Sequence, residues 1–185
     1  NTIVGRLASA LVLVCALAWS IPVVAQVPVP VLTGHVTDQT GTLSVSQKAS
    51  LEQALTEFEA RKGPQLAELM VASTAPEVIE QFSLRVAEKW KLGRKKVDDG
   101  AILVIAKDDR ALRIEVGYGL EGALSDLTSK RIINETILPR FKQQDFYGGI
   151  AAGVGKIVRV IDGEPLPDPT TRNGAVPGDL QRYGP

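Results

Sequence analysis

Two acidic loops carry the residues with the most chemical promise. The first, VDDG, holds Asp98 and Asp99, and the second, GYGLEGALSD, holds Glu121 and Asp126 among Gly117, Gly119 and Gly122. Carboxylates set in glycine-rich backbone suit a hard divalent cation. Ca²⁺ takes roughly six to eight oxygens from carboxylates, carbonyls and water, and glycine lets carbonyls turn inward. Solvated surface turns with no ligand are the plain alternative, and no D-x-D-x-D-G loop is present. The three glycines also match the spacing of a dinucleotide fingerprint. That motif needs a helix starting among its glycines and an acidic residue about 20 positions on, at the end of a further parallel strand. The nearest helix cap, Ser125 or Asp126, follows the glycines instead, so a nucleotide cofactor is not expected.

The elements between the loops must bring them together. AILVIA is continuously apolar, as in a strand covered on both faces, and ALRIEVG alternates Leu112, Ile114 and Val116 with Arg113 and Glu115. KDDR between them reads as a tight turn. With Asp108 and Asp109 as a two-residue hairpin turn, Ala101 lies opposite Val116, Gly100 opposite Gly117 and Asp99 opposite Tyr118. This register predicts one rim shared by Asp98, Asp99, Glu121 and Asp126, with Asp108 and Asp109 at the far end.

Hydrolytic chemistry finds less support. His35 is the only histidine, so a Ser-His-Asp arrangement would depend on it entirely. Arg94, Lys95 and Lys96 beside Asp98 form a basic run that either steers a phosphate or is simply solvated.

Helices complete the reading. Ser44 with Gln47 forms a capping-box pattern, and Leu51, Ala54, Leu55 and Phe58 follow at helical spacing until Gly63 and Pro64. QLAELMVAS reads as a strand. Thr74 with Glu77 opens a second helix with Ile79, Phe82, Val86 and Trp90 on one face. Ser125 or Asp126 caps a third, which Pro139 should kink because proline lacks the amide donor. A fourth runs from about Tyr147 to Ile161, with Gly149 and Gly153 one turn apart and allowing close backbone approach.

Composition sets the outer limits. The 185 residues carry a formal net charge of zero and are 44% hydrophobic, which suits one ordinary domain with flanking segments and excludes nucleic-acid binding by charge. Residues 1–25, with Arg6, the run LASALVLVCALAW and small residues before Gln26, read as a secretory leader. The run is shorter than the ~20 residues of a membrane span. The single cysteine, Cys15, lies in that leader, so the mature domain has no thiol for a disulfide, a nucleophile or zinc. Residues 26–30 form an extended Pro-rich entry, 31–161 the folded domain, and 162–185 a Pro/Gly-rich linker of the kind that leads to a membrane anchor.

The motifs LTGHVTDQTGTLS, WKLGRKKVDDGAILVIAKDDRALRIEVGYGLEGALSD and ILPRFKQQDFYGGIAAGVGKIV, in that order, resemble the TPM domain of bacterial envelope proteins and of a plant thylakoid-lumen relative linked to photosystem repair. The resemblance spans about Val31 to Leu166. It implies an α/β three-layer sandwich, a small mixed sheet with helices on both faces. It also implies a periplasmic or otherwise extracytoplasmic location, inner-membrane anchoring through a C-terminal segment, and a partner in a membrane or envelope protein complex. The family's recurrent acidic positions correspond to Asp38, Asp99 and Asp126, so Asp38 joins Asp98, Asp99, Glu121 and Asp126 as an expected ligand of a divalent cation, calcium first. Some relatives are described as acid phosphatases, which makes a metal-dependent phosphomonoester hydrolase the alternative to a cation-binding accessory domain.

Overall fold

The computed structural model describes residues 25–164 and 166. All but the last residue of the expected leader, with Cys15, lies outside the described residues, as does most of the expected linker. The described strands are β1 (Val36–Asp38), β2 (Gln65–Val71), β3 (Gly100–Ala106) and β4 (Ala111–Val116). The described helices are α1 (Val45–Lys62), α2 (Ile79–Trp90), α3 (Asp126–Ile132), α4 (Leu138–Phe141) and α5 (Phe146–Ile161).

The strands form one mixed sheet in the order β1-β2-β3-β4, parallel from β1 to β3 and antiparallel between β3 and β4. Every residue of β3 is buried, as its unbroken apolar run requires. Its side chains alternate between two cores. Ala101, Leu103 and Ile105 join Leu51, Leu55 and Phe58 of α1 and Ile150, Val154 and Ile157 of α5 on one face. Ile102, Val104 and Ala106 meet Phe82, Val86 and Trp90 of α2 on the other. The result is the three-layer α/β sandwich anticipated from the sequence.

Local signals explain most boundaries. Ser44 and Gln47 exchange both bonds of a capping box, Gln47 N donating to Ser44 Oγ (3.2 Å) and Ser44 N to Gln47 Oε1 (2.9 Å), and α1 stops at Gly63, whose φ of 94° suits glycine. Ser125 caps α3 by accepting from Thr128 N. Ahead of Pro139 the helix widens into a π turn (Ile133–Ile137) before α4 resumes, since proline offers no amide to the preceding turn. A Cβ on Gly153 would meet Ile137 at 2.6 Å and one on Gly149 would meet the Phe141 ring at 2.5 Å, so both glycines seat α5 against this broken helix.

One boundary departs from expectation. Thr74 and Glu77 form no capping box, and α2 starts at Ile79 behind Val78, which makes no side-chain cap. Pro76 steers the residue before it away from helical dihedrals, so the chain turns at 74–77 first. Thr74 N instead donates to Asp109 Oδ2 (2.7 Å), and Glu77 pairs with Arg85. The N-terminal entry is a strap along α2. Arg85 donates to the Val27 carbonyl (2.8 Å), Lys89 to that of Val29 (2.8 Å) and Trp90 Nε1 to that of Pro30 (2.9 Å).

Candidate functional site at the glycine rim

The hairpin register is the one the sequence implies. Ala101 pairs with Val116, and Gly117 N donates to Gly100 O at 2.7 Å, so the 91–99 loop and the GYGLEG loop meet at one end of the sheet. They meet closely. A Cβ on Gly117 would fall 2.3 Å from Asp98 O, and one on Gly119 would fall 2.2 Å from Val97 O. These glycines exist for loop-to-loop contact. Only a 3₁₀ turn (Tyr118–Leu120) follows them before α3, where a dinucleotide fingerprint opens a helix among its glycines.

The predicted carboxylates have separate employments. Asp99 is buried, and it accepts from Arg94 N (2.7 Å), from Arg94 Nε (2.7 Å) and from Arg94 Nη2. Burial alone would raise its pKa, but the side-chain and backbone hydrogen bonds from Arg94 outweigh burial and hold the carboxyl below the usual carboxylate value. Asp98, at φ 54°, accepts from Tyr118 N through Oδ2 (2.9 Å) and from Gly119 N through its carbonyl (2.9 Å). Asp126 pairs with Lys130 at 2.7 Å and lies 3.6 Å from Arg113, and the Lys130 contact foremost keeps its carboxyl below the ordinary value. Glu121 is exposed just after the 3₁₀ turn.

Asp38 is not at this rim. It pairs in register with Met70, whereas the rim end of β2 is Gln65, opposite Gly100. Five residues of strand, about 17 Å, separate the two ends. There Asp38 accepts from Thr40 N (2.8 Å), Thr40 Oγ1 (2.7 Å) and Leu43 N (2.8 Å), closing the turn into α1. Among the described residues, no group of three or more His, Cys, Asp or Glu side chains is arranged to hold a metal ion. His35 is likewise structural in its contacts, with Nδ1 donating to the Leu66 carbonyl (3.0 Å) and Nε2 lying 3.2 Å from Glu59.

Sequence reasoning passed over two features. Tyr118 is 81% exposed and Val97 44% exposed, on the two loops that interlock, beside Arg94, Lys95 and Lys96. A neighbouring groove of about 860 Å³ along α2 is lined by Leu84, Lys91, Arg94, Lys95 and Glu115, with Asp98 and Gly117 from the rim, among others. The second is Glu68, fully buried mid-strand on β2 with neither carboxylate oxygen hydrogen-bonded. A lone acid in QLAELMV was its only signal in the sequence.

This fold and rim define a small α/β domain whose conspicuous surface is a closely interlocked loop pair bearing lysines, carboxylates and the exposed Tyr118. The family model of the TPM domain matches residues 36–160, and the chain belongs to that family. A search of curated proteins gives no match. Among solved structures, the N-terminal domain of a protein from P. gingivalis is 33% identical with a TM-score of 0.65, over 71% of this chain and 83% of that one. Two others share the fold at lower identity. The BA42 protein from Bizionia argentinensis is 19% identical with a TM-score of 0.58, over 66% of this chain and 83% of its own. The N-terminal domain of the cg2496 protein from Corynebacterium glutamicum is 17% identical with a TM-score of 0.54, over 77% of this chain and 87% of its own. Among the described residues, no helix is long and apolar enough to cross a membrane.

Proposed function

We propose that this TPM domain is a non-catalytic accessory module acting outside the cytoplasm, and that it docks a partner protein of the envelope on the glycine rim. The observation that carries the reading is the exposure of Tyr118 and Val97 on loops fixed by Asp98, Asp99 and Arg94. A large aromatic held in water on backbone hydrogen-bonded to a neighbouring loop suits an interface anchor, because less conformational freedom is lost when it is covered. Lys91, Lys95 and Lys96 around it favour a partner surface that is acidic at its margin and apolar at its centre.

A divalent cation fits this reading only at Asp98 and Glu121, the two rim carboxylates without a cationic partner among the described ion pairs. Two carboxylates with loop carbonyls fall short of the oxygen count calcium prefers. The hydrolase alternative needs the same metal together with an activated water, and Asp99 is already committed to Arg94.

A photo-crosslinking residue at position 118, in cells making the whole chain, tests the docking surface. A specific adduct is expected there, absent with the same residue at Val45, which is 89% exposed at the opposite end of the sheet. Lys95→Glu with Lys96→Glu should abolish the adduct. Equal adducts at both positions, or indifference to the charge reversals, would sink the proposal.

A further inference from the structure

The sheet has two edges, and they differ. β1 contributes three residues and ends in the Asp38 turn, so it offers little to pair with. β4 has six residues, and β3 and α2 are the elements packed closely on it. The Gly117 N to Gly100 O bond fixes the alternation of the ladder, so the amides and carbonyls of Glu115, Arg113 and Ala111 face β3. Those of Leu112, Ile114 and Val116 face away from the sheet, and no hydrogen bond to them occurs among the described residues.

We propose that β4 pairs with β4 of a second copy of this chain, antiparallel about a two-fold axis at Ile114, joining two sheets into one. This goes beyond the docking rim, which begins at Gly117, where the paired segment ends. The side chains argue for a second copy over any other strand. In that register Leu112 lies opposite the partner's Val116, and Ile114 opposite its own copy. On the other face Arg113 lies opposite the partner's Glu115, and Glu115 opposite the partner's Arg113. Charges on an edge strand ordinarily repel a second copy. Here two opposite charges on one face, two residues apart, become complementary under the two-fold operation. In the single chain Arg113 Nε donates to Glu115 (2.8 Å) and its Nη1 lies 3.6 Å from Asp126, so pairing assembles two arginines and two glutamates instead of creating unpaired charge.

The helix layer fits as well. One flank of α2 holds the N-terminal strap through Arg85 and Lys89, and the other flank leans over β4, where Ser83 Oγ donates to Glu115 (2.8 Å). Leu84, 53% exposed, lines the groove on that β4 side with Glu115 and Val116. Strand pairing at ~4.8 Å sets the two α2 helices antiparallel and side by side, which covers the Leu84 flanks. The ribbon alone is smaller than the ~800 Å² per partner of a standard interface, so the association is reversible and concentration-dependent.

Sedimentation velocity of the whole chain, over a concentration series reaching about 1 mM, tests the pairing. The expected result is a monomer–dimer equilibrium whose midpoint rises about tenfold for Arg113→Glu and for Glu115→Arg, and returns toward the wild-type value in the double exchange R113E/E115R. Because both residues also have contacts within the chain, Leu84→Arg provides a surface variant that should weaken dimerisation with an unchanged melting temperature. Hydrogen exchange at the Ile114 amide should slow as concentration rises. A wild-type monomer throughout, or a dimer unmoved by both the single reversals and Leu84→Arg, overturns the proposal. Protection of Ile114 that appears only when a different protein is added reassigns the edge to that protein.

Discussion

Glu68→Gln should change how stability responds to pH. Glu68 sits on β2 between Val36 and Leu103, with its side chain on the face shared by Leu66 and Met70. It is 0% exposed, and neither oxygen has a hydrogen-bond partner. Burial first, and the negative charge of Asp38 second, raise its pKa well above the ordinary 4.5, with only Lys48 opposing. The unfolded chain therefore releases this proton near pH 4.5 while the folded chain keeps it, so the stabilising contribution is intact below that value and declines as pH rises toward the folded pKa. The loss approaches about 1.4 kcal/mol per pH unit between the two pKa values, with a ceiling of about 3.4 kcal/mol at pH 7. Glutamine keeps the size and polarity of the protonated acid but cannot ionise. Urea melts of both proteins from pH 5 to pH 8 should start close together and diverge, with the variant increasingly the more stable. This window avoids Asp38 and Asp99, whose lowered pKa values confine their effects to acid. Curves that stay parallel across it would show that Glu68 is charged, or solvated, in the folded protein.

Two further outcomes follow from the rim. Asp99→Asn should cost roughly 2 kcal/mol at pH 6, because hydrogen bonds to a charged group are lost beside a guanidinium that has no other ion pair among the described residues. Since the folded pKa of Asp99 is depressed, its contribution is present above the usual 3.8 and is lost as pH falls through the folded value. The gap between the urea midpoints of wild type and variant should therefore narrow as pH falls below the usual 3.8, and a gap that stays constant through that descent would refute the Arg94 pairing as its source. Calcium should leave the melting temperature unchanged. An occupied site at one hundred times its dissociation constant would add about 2.7 kcal/mol, a rise that scanning calorimetry would detect and that would restore the cation-binding reading.

Much of the architecture was legible because it is written locally. The apolar run of β3, the alternation of β4 and the polar KDDR turn were enough to fix a hairpin register to the residue. Ser44, Ser125 and Pro139 each marked its helix boundary through chemistry confined to a few neighbours. Thr74 misled because Pro76, two residues on, overrides the cap it advertises. The candidate site was less legible because its electrostatics depend on long-range or loop-internal choices. Asp99 is taken by Arg94 through the curl of the 91–99 loop, which spacing alone does not reveal. The family resemblance implies Asp38 as a further ligand beside the rim carboxylates, but the parallel pairing of β1 with β2 places it at the other end of the sheet. Glu68 escaped notice because one acid in an apolar strand announces nothing until the strand is known to be covered on both sides.

The strap of residues 27–30 has a mechanical consequence. Its three carbonyls are gripped by Arg85, Lys89 and Trp90, spread over about 7.5 Å of helix. Tension along the helix axis stretches all three grips at once, while tension away from the helix opens them in turn, beginning at Val27. A domain tethered through this end therefore resists shear more than peeling, and the direction of pull decides whether Trp90 stays covered.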